Sequence, residues 1–266
     1  MNDDGNRKSE SLNKRLRKLF QPGKGTMLVG AGNALTARIA TQAGFEAVHV
    51  SGAAISNFTY GLPDLGLTTF NDLLHHVTMM RDVIEVPLFV DADTGYGGPL
   101  NVRRTVRHLE RAGANAIMLE DQVTPKRCGH FEGKEVISKA EMIQKIKAAV
   151  DARTDDDLII FARTDARAVH GLDDALDRAA AYQEAGADCL FVEAPTTLEE
   201  LARIPRAVPA PHLANMVHGG LTPIQTREQL AELGYACVVC ANALLQAAMK
   251  SMVLMAEHIR KHGTLE

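Results

Sequence analysis

The stretch Arg111-Ala112-Gly113-Ala114-Asn115-Ala116-Ile117-Met118-Leu119-Glu120 decides the fold. It reads as the end of an amphipathic helix, a glycine stop of the left-handed kind, an unbroken apolar run, and an acid where the run ends. The same unit recurs. Gln42-Ala43-Gly44-Phe45 leads into an apolar run at 47–50, Glu184-Ala185-Gly186-Ala187 into 189–192, and Glu232-Leu233-Gly234-Tyr235 into 237–239. Further runs at 27–29, 88–90, 158–161 and 212–213 complete eight strands. Helical patterns fall between them near 33–43, 69–83, 99–112, 139–151, 172–186, 196–204, 226–233 and 242–262. Strands that are apolar throughout and separated by helices belong to a parallel sheet covered on both faces, and eight such units favour closure into a barrel. The expected class is therefore α/β, a (β/α)8 barrel over residues 21–266. A polar tail and a short helix precede it over residues 1–20, where Leu12, Leu16 and Leu19 keep helical spacing. An open doubly wound sheet would want a glycine-rich dinucleotide turn after the first strand, and Gly30-Ala31-Gly32-Asn33 is only a fragment of one.

Composition narrows the function. The chain has 266 residues, 46% of them apolar and 23% charged, with a formal net charge of −4 spread along the sequence. Such a chain builds one large core and offers no basic field for nucleic acid. No apolar run approaches the roughly 20 residues that span a bilayer, and the N-terminus is polar, so a cytoplasmic protein with small-molecule partners is expected. Cys237 and Cys240 have CxxC spacing, but Val238 and Val239 between them read as strand, so core thiols are expected rather than a metal or redox pair.

In a barrel of this kind the site lies where the strands end. Those positions carry Ser51-Gly52, Asp91-Ala92-Asp93, Glu120-Asp121, Arg163-Thr164-Asp165, Glu193 and Asn215. Asp91 and Asp93 are two apart, which in an extended chain puts both side chains on one side. With Glu120 they form a cluster of hard oxygen donors that needs a compensating cation. Mg²⁺ fits best, with Mn²⁺ as substitute. Asp64 sits in a long turn-rich loop after the second strand, where an Asp is commonly a turn former. Arg163 is either a fork for a substrate carboxylate or the partner of Glu193.

After the fourth strand comes Lys126-Arg127-Cys128-Gly129-His130. Lys126, Arg127 and His130 would favour the thiolate of Cys128, and Gly129 allows backbone geometry that a side chain would forbid. Cys128 is expected to be reactive.

Together these motifs, with Gly61-Leu62-Pro63-Asp64, Glu120-Asp121-Gln122 and Ala162-Arg163-Thr164-Asp165, resemble the isocitrate lyase and phosphoenolpyruvate mutase superfamily. The likeness is nearest to its 2-methylisocitrate lyase and carboxyphosphonoenolpyruvate phosphonomutase branches and runs from about residue 20 to the end. The resemblance implies a (β/α)8 TIM barrel with an N-terminal helix and a shortened C-terminal helical region. It implies Mg²⁺ anchored by Asp91, with Asp93 and Glu120 holding metal-bound water, and a substrate carboxylate bound by Ser51, Gly52 and Arg163. It further implies a loop over 122–138 that closes on the site, and a homo-oligomer, commonly a tetramer. The reaction implied is C–C cleavage of a methylisocitrate- or alkylmalate-like 2-hydroxy acid to an α-oxo acid, with Cys128 protonating the enolate-like fragment. A polyanionic substrate pairing with the loop cations would raise the thiol's pKa for that step. Phosphonomutase chemistry, oxaloacetate hydrolysis or decarboxylation, and an inactive ligand-binding member are the alternatives. His218 stands where relatives usually carry glutamate, Val217 where methylisocitrate lyases tend to have threonine, and Cys240-Ala241-Asn242 replaces a common Pro-Leu-Ser. These departures bear on substrate choice. The chain stops at Glu266, short of helices that relatives can exchange between subunits.

Overall fold

The computed structural model describes residues 10–129, 131 and 133–266. Eight parallel strands, β1 (Thr26–Ala31), β2 (Val48–Val50), β3 (Leu88–Asp91), β4 (Ala116–Glu120), β5 (Ile159–Thr164), β6 (Cys189–Val192), β7 (Leu213–Asn215) and β8 (Cys237–Cys240), run in the order β6-β5-β4-β3-β2-β1-β8-β7. A parallel bridge between Leu190 and His212 brings β6 to β7, and the sheet becomes a (β/α)8 TIM barrel. The register is continuous: Gly30 pairs with His49, Phe89 with Ala116, and Glu120 with Arg163. Almost every strand residue is buried, the burial on both faces that continuous apolar runs require.

Among the described residues eleven helices lie outside or at the ends of the strands: α1 (Leu12–Leu19), α2 (Ala34–Gln42), α3 (Gly52–Tyr60), α4 (Phe70–Arg81), α5 (Pro99–Arg111), α6 (Lys139–Val150), α7 (Ala166–His170), α8 (Leu172–Glu184), α9 (Leu198–Ala207), α10 (Arg227–Glu232) and α11 (Ala243–His262). Gly44, Gly113, Gly186 and Gly234 follow the ends of α2, α5, α8 and α10, each with φ between 91° and 107°. These are the helix stops read from the sequence. Two helices were not legible there. The segment after β2 was expected as loop, but its first part winds into α3, with Ser51 as N-cap accepting from the Ala54 amide and Gly61 (φ 63°) as the stop. α7 is a single short helix after β5, too brief to show a period.

α1 closes the bottom of the barrel. Ser11 caps it, and Leu16, Leu19 and Phe20 are buried against the lowest layer of barrel side chains. The Phe20 ring sits edge-on to Phe89 and Phe161, at centroid distances of 6.0 and 5.7 Å, while those two rings stack at 4.5 Å. Polar bonds pin the helix in place. Asn13 donates to Asp155 at 2.7 Å and accepts from Asn115 at 2.7 Å, and Arg17 pairs with Asp188 at 2.9 Å. The expected loose start, residues 1–9, lies outside the described residues. Cys237 is fully buried and Cys240 half-buried, both as free thiols in β8. Among the described residues no helix is long and apolar enough to cross a membrane.

Candidate active site

The strand ends converge on one pocket at the opposite end of the barrel. Ser51, Asp64, Asp91, Arg163, Glu193 and Asn215 line it, and the loop after β4 brings Lys126, Arg127, Cys128 and Gly129 over it. Gly52, Asp93 and Glu120 stand directly behind that lining. A Cβ on Gly52 would lie 3.5 Å from Asp93 Oδ1, Asp93 pairs with Lys126, and Glu120 pairs with Arg163. His130 lies outside the described residues.

Asp91 and Asp93 do approach one another, but not through the pleat of a strand. β3 ends at Asp91, and Asp93 adopts φ 47° while its amide donates to Asp91 Oδ1 at 3.1 Å. The pair is made by an aspartate turn, a left-handed conformation that Asp tolerates better than most residues.

The described part of the segment after β4 lies over the mouth, held by three tethers. The Gln122 side chain donates to the Arg127 carbonyl and accepts from the Arg127 amide, both at 2.9 Å. Lys126 Nζ lies 2.5 Å from Asp64 Oδ1 and 2.9 Å from Asp93 Oδ1. Lys134, buried, donates to the Gly129 carbonyl and pairs with Asp165 at 3.0 Å. Asp64 is thus more than a turn former: its carboxylate takes Lys126, and its carbonyl accepts from the Cys128 amide at 3.2 Å.

Two of the three cations expected beside Cys128 are described. Lys126 is turned to carboxylates, and Arg127 is exposed, held through its backbone. Burial alone would push the Lys126 ammonium's pKa down, but Asp93, Asp64 and Glu120 outweigh it and hold it well above the usual lysine range. Gly129 is also explained differently from the sequence reading. Its φ is outside the left-handed region, and what forbids a side chain is space: a Cβ would meet Arg163 Nη2 at 2.5 Å and Glu193 Cδ at 2.7 Å.

Arg163 has the Glu193 partner that the sequence offered as one of its two roles, and it also lines the pocket. Its guanidinium reaches Asp165 at 2.9 and 3.1 Å, Glu120 at 3.3 Å and Glu193 at 3.3 Å, and lies 5.3 Å above the Phe191 ring. Burial pushes the Asp165 carboxyl up, but Arg163 and Lys134 more than offset it and hold it below the usual range. Asp121, buried beneath, accepts from Thr164, the Asp165 amide, Tyr182 and Arg178. Asp121, Asp165 and Lys134 are the supports that the sequence did not assign. Asp121 and Asp165 sit inside the motifs that were read, but their partners are distant in sequence.

Asp91, Asp93 and Glu120 are displaced upward. Burial raises Asp91, with Lys126 and Arg163 pulling the other way, and raises Asp93 to about 6 against the pull of Lys126. Glu120 is pushed well above the usual range by burial, and its Oε1 is buried with no hydrogen-bond partner. Carboxyls crowded this way ionise only beside added positive charge. Among the described residues no three His, Cys, Asp or Glu side chains form a direct metal cage. Asp91, Asp93 and Glu120 offer oxygen donors alone, which suit a hard cation that takes one or two carboxylates and keeps waters.

Comparisons with known proteins agree with this geometry. Residues 16–260 match the family described as phosphoenolpyruvate phosphomutase. The chain is 45% identical over 239 residues to 2,3-dimethylmalate lyase of Eubacterium barkeri, covering 90% of this chain and 83% of the relative. It is 47% identical over 249 residues to 2-methylisocitrate lyase of Aeropyrum pernix, covering 94% and 80%. Among solved structures, oxaloacetate acetylhydrolase in complex with 3,3-difluorooxalacetate superposes with a TM-score of 0.92 at 34% identity, covering 96% of this chain and 88% of that one. Phosphonopyruvate hydrolase in complex with oxalate and Mg²⁺ superposes with a TM-score of 0.87 at 30% identity, covering 97% and 89%. With the barrel, the carboxylate cluster and the cysteine-bearing loop already on one mouth, these matches place the chain in the phosphoenolpyruvate phosphomutase family, within the superfamily that includes the isocitrate lyases.

Proposed function

We propose that the protein is a carbon–carbon bond lyase that splits a 2-hydroxy di- or tricarboxylate into an α-oxo acid and a second carboxylate. The observation that carries this reading is the placement of Cys128 on the pocket by a loop tied down through Lys126, Asp64 and Asp93, facing a cluster of carboxyls that want a cation. The named lyases at 45 and 47% identity support it. Mg²⁺ held by Asp91, with Asp93 and Glu120 behind it, would supply the Lewis acidity that makes the substrate hydroxyl easy to ionise.

The chain's own residues do the rest. Ser51 and Gly52, at the start of α3, offer amides and a helix N-terminus to the α-oxo acid carboxylate. Arg163 holds Glu120 and Glu193 in position and lends positive charge to the same end of the pocket. The closed loop keeps water from the carbanionic fragment, which would otherwise be quenched without control. The Cys128 Sγ gives that fragment its proton.

Association of copies, tetrameric by the resemblance, is supported by α11, on which only Leu245 is buried while Met252, Val253, Leu254 and Met255 are about half exposed.

Release of an α-oxo acid from 2-methylisocitrate, isocitrate and 2,3-dimethylmalate tests the reading, with Mg²⁺ and after chelation. Turnover that needs the metal and collapses in Cys128→Ser is the expected result. Turnover only of oxaloacetate, or a ³¹P NMR signal showing rearrangement of a phosphonate, would replace the lyase by a hydrolase or a mutase.

A further inference from the structure

A second cavity, of about 230 Å³, adjoins the mouth beside β7 and β8. Met216, Val217, Ile224, Cys240 and Ala243 give it a largely apolar wall. With the loop shut, the free space in the mouth itself is only about 50 Å³. Val217 and Asn242 line both spaces and so form the partition between them.

That partition is weakly fixed. Asn242 occupies the N-cap position of α11, where Asn is among the most effective capping residues, yet its side chain makes no cap hydrogen bond. Its Oδ1 is buried without a partner. No hydrogen bond to the helix or to any other described donor therefore fixes the Asn242 carbonyl on the wall between the two cavities. The side cavity also lacks what a second carboxylate would require. Neither Lys nor Arg lines it, and its one titratable cation candidate, His218, is exposed. An ionised group entering there would lose hydration without a counter-charge, whereas a hydrocarbon chain would gain by leaving water.

We infer that this cavity is a subsite for the substrate's tail, and that the protein takes 2-hydroxy acids whose C3 substituent is an unbranched alkyl chain longer than methyl. The head-group chemistry rests on the lyase reading above. The subsite rests on the two cavities and their shared wall.

The experiment is a homologous series, 3-methyl- to 3-butylmalate, measured as kcat/KM for the wild type and for Ala243→Phe. Ala243 is exposed in the first turn of α11, so the larger ring fills the side cavity without entering the barrel core. Wild-type kcat/KM is expected to rise about fourfold per added methylene, the gain of burying one CH₂. In Ala243→Phe that rise disappears, while 3-methylmalate stays within about twofold of wild type by the same area argument. A flat or falling wild-type series, or a variant that lowers short and long substrates alike, overturns the subsite. Calorimetric binding of 2-alkylmalonates of the same chain lengths separates the two readings. If no malate is turned over but affinity climbs with chain length in the wild type alone, the subsite stands and the lyase reading falls. Affinity that ignores chain length, or no binding at all, removes the subsite whatever the turnover.

Discussion

The two ends of the barrel are built from opposite materials. At the bottom, Leu16, Leu19 and Phe20 from α1 press on Phe89 and Phe161, and Arg17 of the same helix pairs with Asp188 of the barrel. At the mouth, Asp64, Asp91, Asp93, Glu120, Asp165 and Glu193 crowd around Lys126, Arg163 and Lys134. A buried aromatic layer stabilises by leaving water. A buried cluster of charges carries a desolvation cost that its own pairing offsets only in part. Stability is thus concentrated at one end and chemical potential at the other, the division expected of a barrel whose strands all point the same way.

Three perturbations test how complete that division is. Cys128→Ala should have the largest effect and confine it to the mouth. Loss of a positioned proton donor is expected to lower turnover by about 10²- to 10⁴-fold, with the thermal midpoint unchanged because Cys128 is only partly buried on the loop. A falling midpoint would show that the loop helps hold the barrel together. Phe20→Ala is the reciprocal change: a stability loss of about 3–5 kcal/mol in chemical denaturation, with kcat preserved in the molecules that remain folded. Loss of kcat in step with stability would mean that the ends are coupled.

The third perturbation sits between the ends. His49 lines the pocket, and its ring packs 4.9 Å from Phe89 of the lower layer. Burial lowers its pKa to about 4, and Arg163 adds to the effect. Because the folded value lies below the unfolded one of 6.5, the unfolded chain takes up the proton first as pH falls. This contribution is therefore fully present above pH 6.5, shrinks as pH drops toward about 4, and levels off below. Its full size is about 3 kcal/mol. Unfolding free energies of wild type and His49→Gln, followed by denaturation across that window, should diverge by this amount in total, and parallel pH profiles would refute it.

How much was legible follows the range of the forces. The strands were readable because burial on both faces leaves no polar position to interrupt them, as in 116–119 and 237–239. Helix stops were readable because Gly44, Gly113, Gly186 and Gly234 act within a few residues. The strand-end acids were readable because strand direction alone sends them to one mouth. Partner choice was not. Asp64 and Lys126 are 62 residues apart, and Lys134 and Asp165 are 31 apart. The spacing of Lys126 and Asp64 gave no sign that they would pair, and only the fold brings Lys126 to Asp64 and Asp93. The Asp91–Asp93 approach was foreseen but by the wrong geometry, because a turn and a pleat leave the same two-residue spacing.

Gly129 gives the loop an uneven mutational landscape. Any single-base change in a glycine codon that alters the residue without ending the chain adds a Cβ. At this position that carbon would lie 2.5 Å from the Arg163 guanidinium and 2.7 Å from the Glu193 side chain. Relief would require shifting an arginine that also holds Asp165 and Glu120, so one added methyl would propagate across the mouth. Gly98, at the start of α5, has nothing within 4 Å of the same added carbon and carries no positive φ. Over evolutionary time the second glycine is free to drift, while the first has no neutral neighbour to drift to.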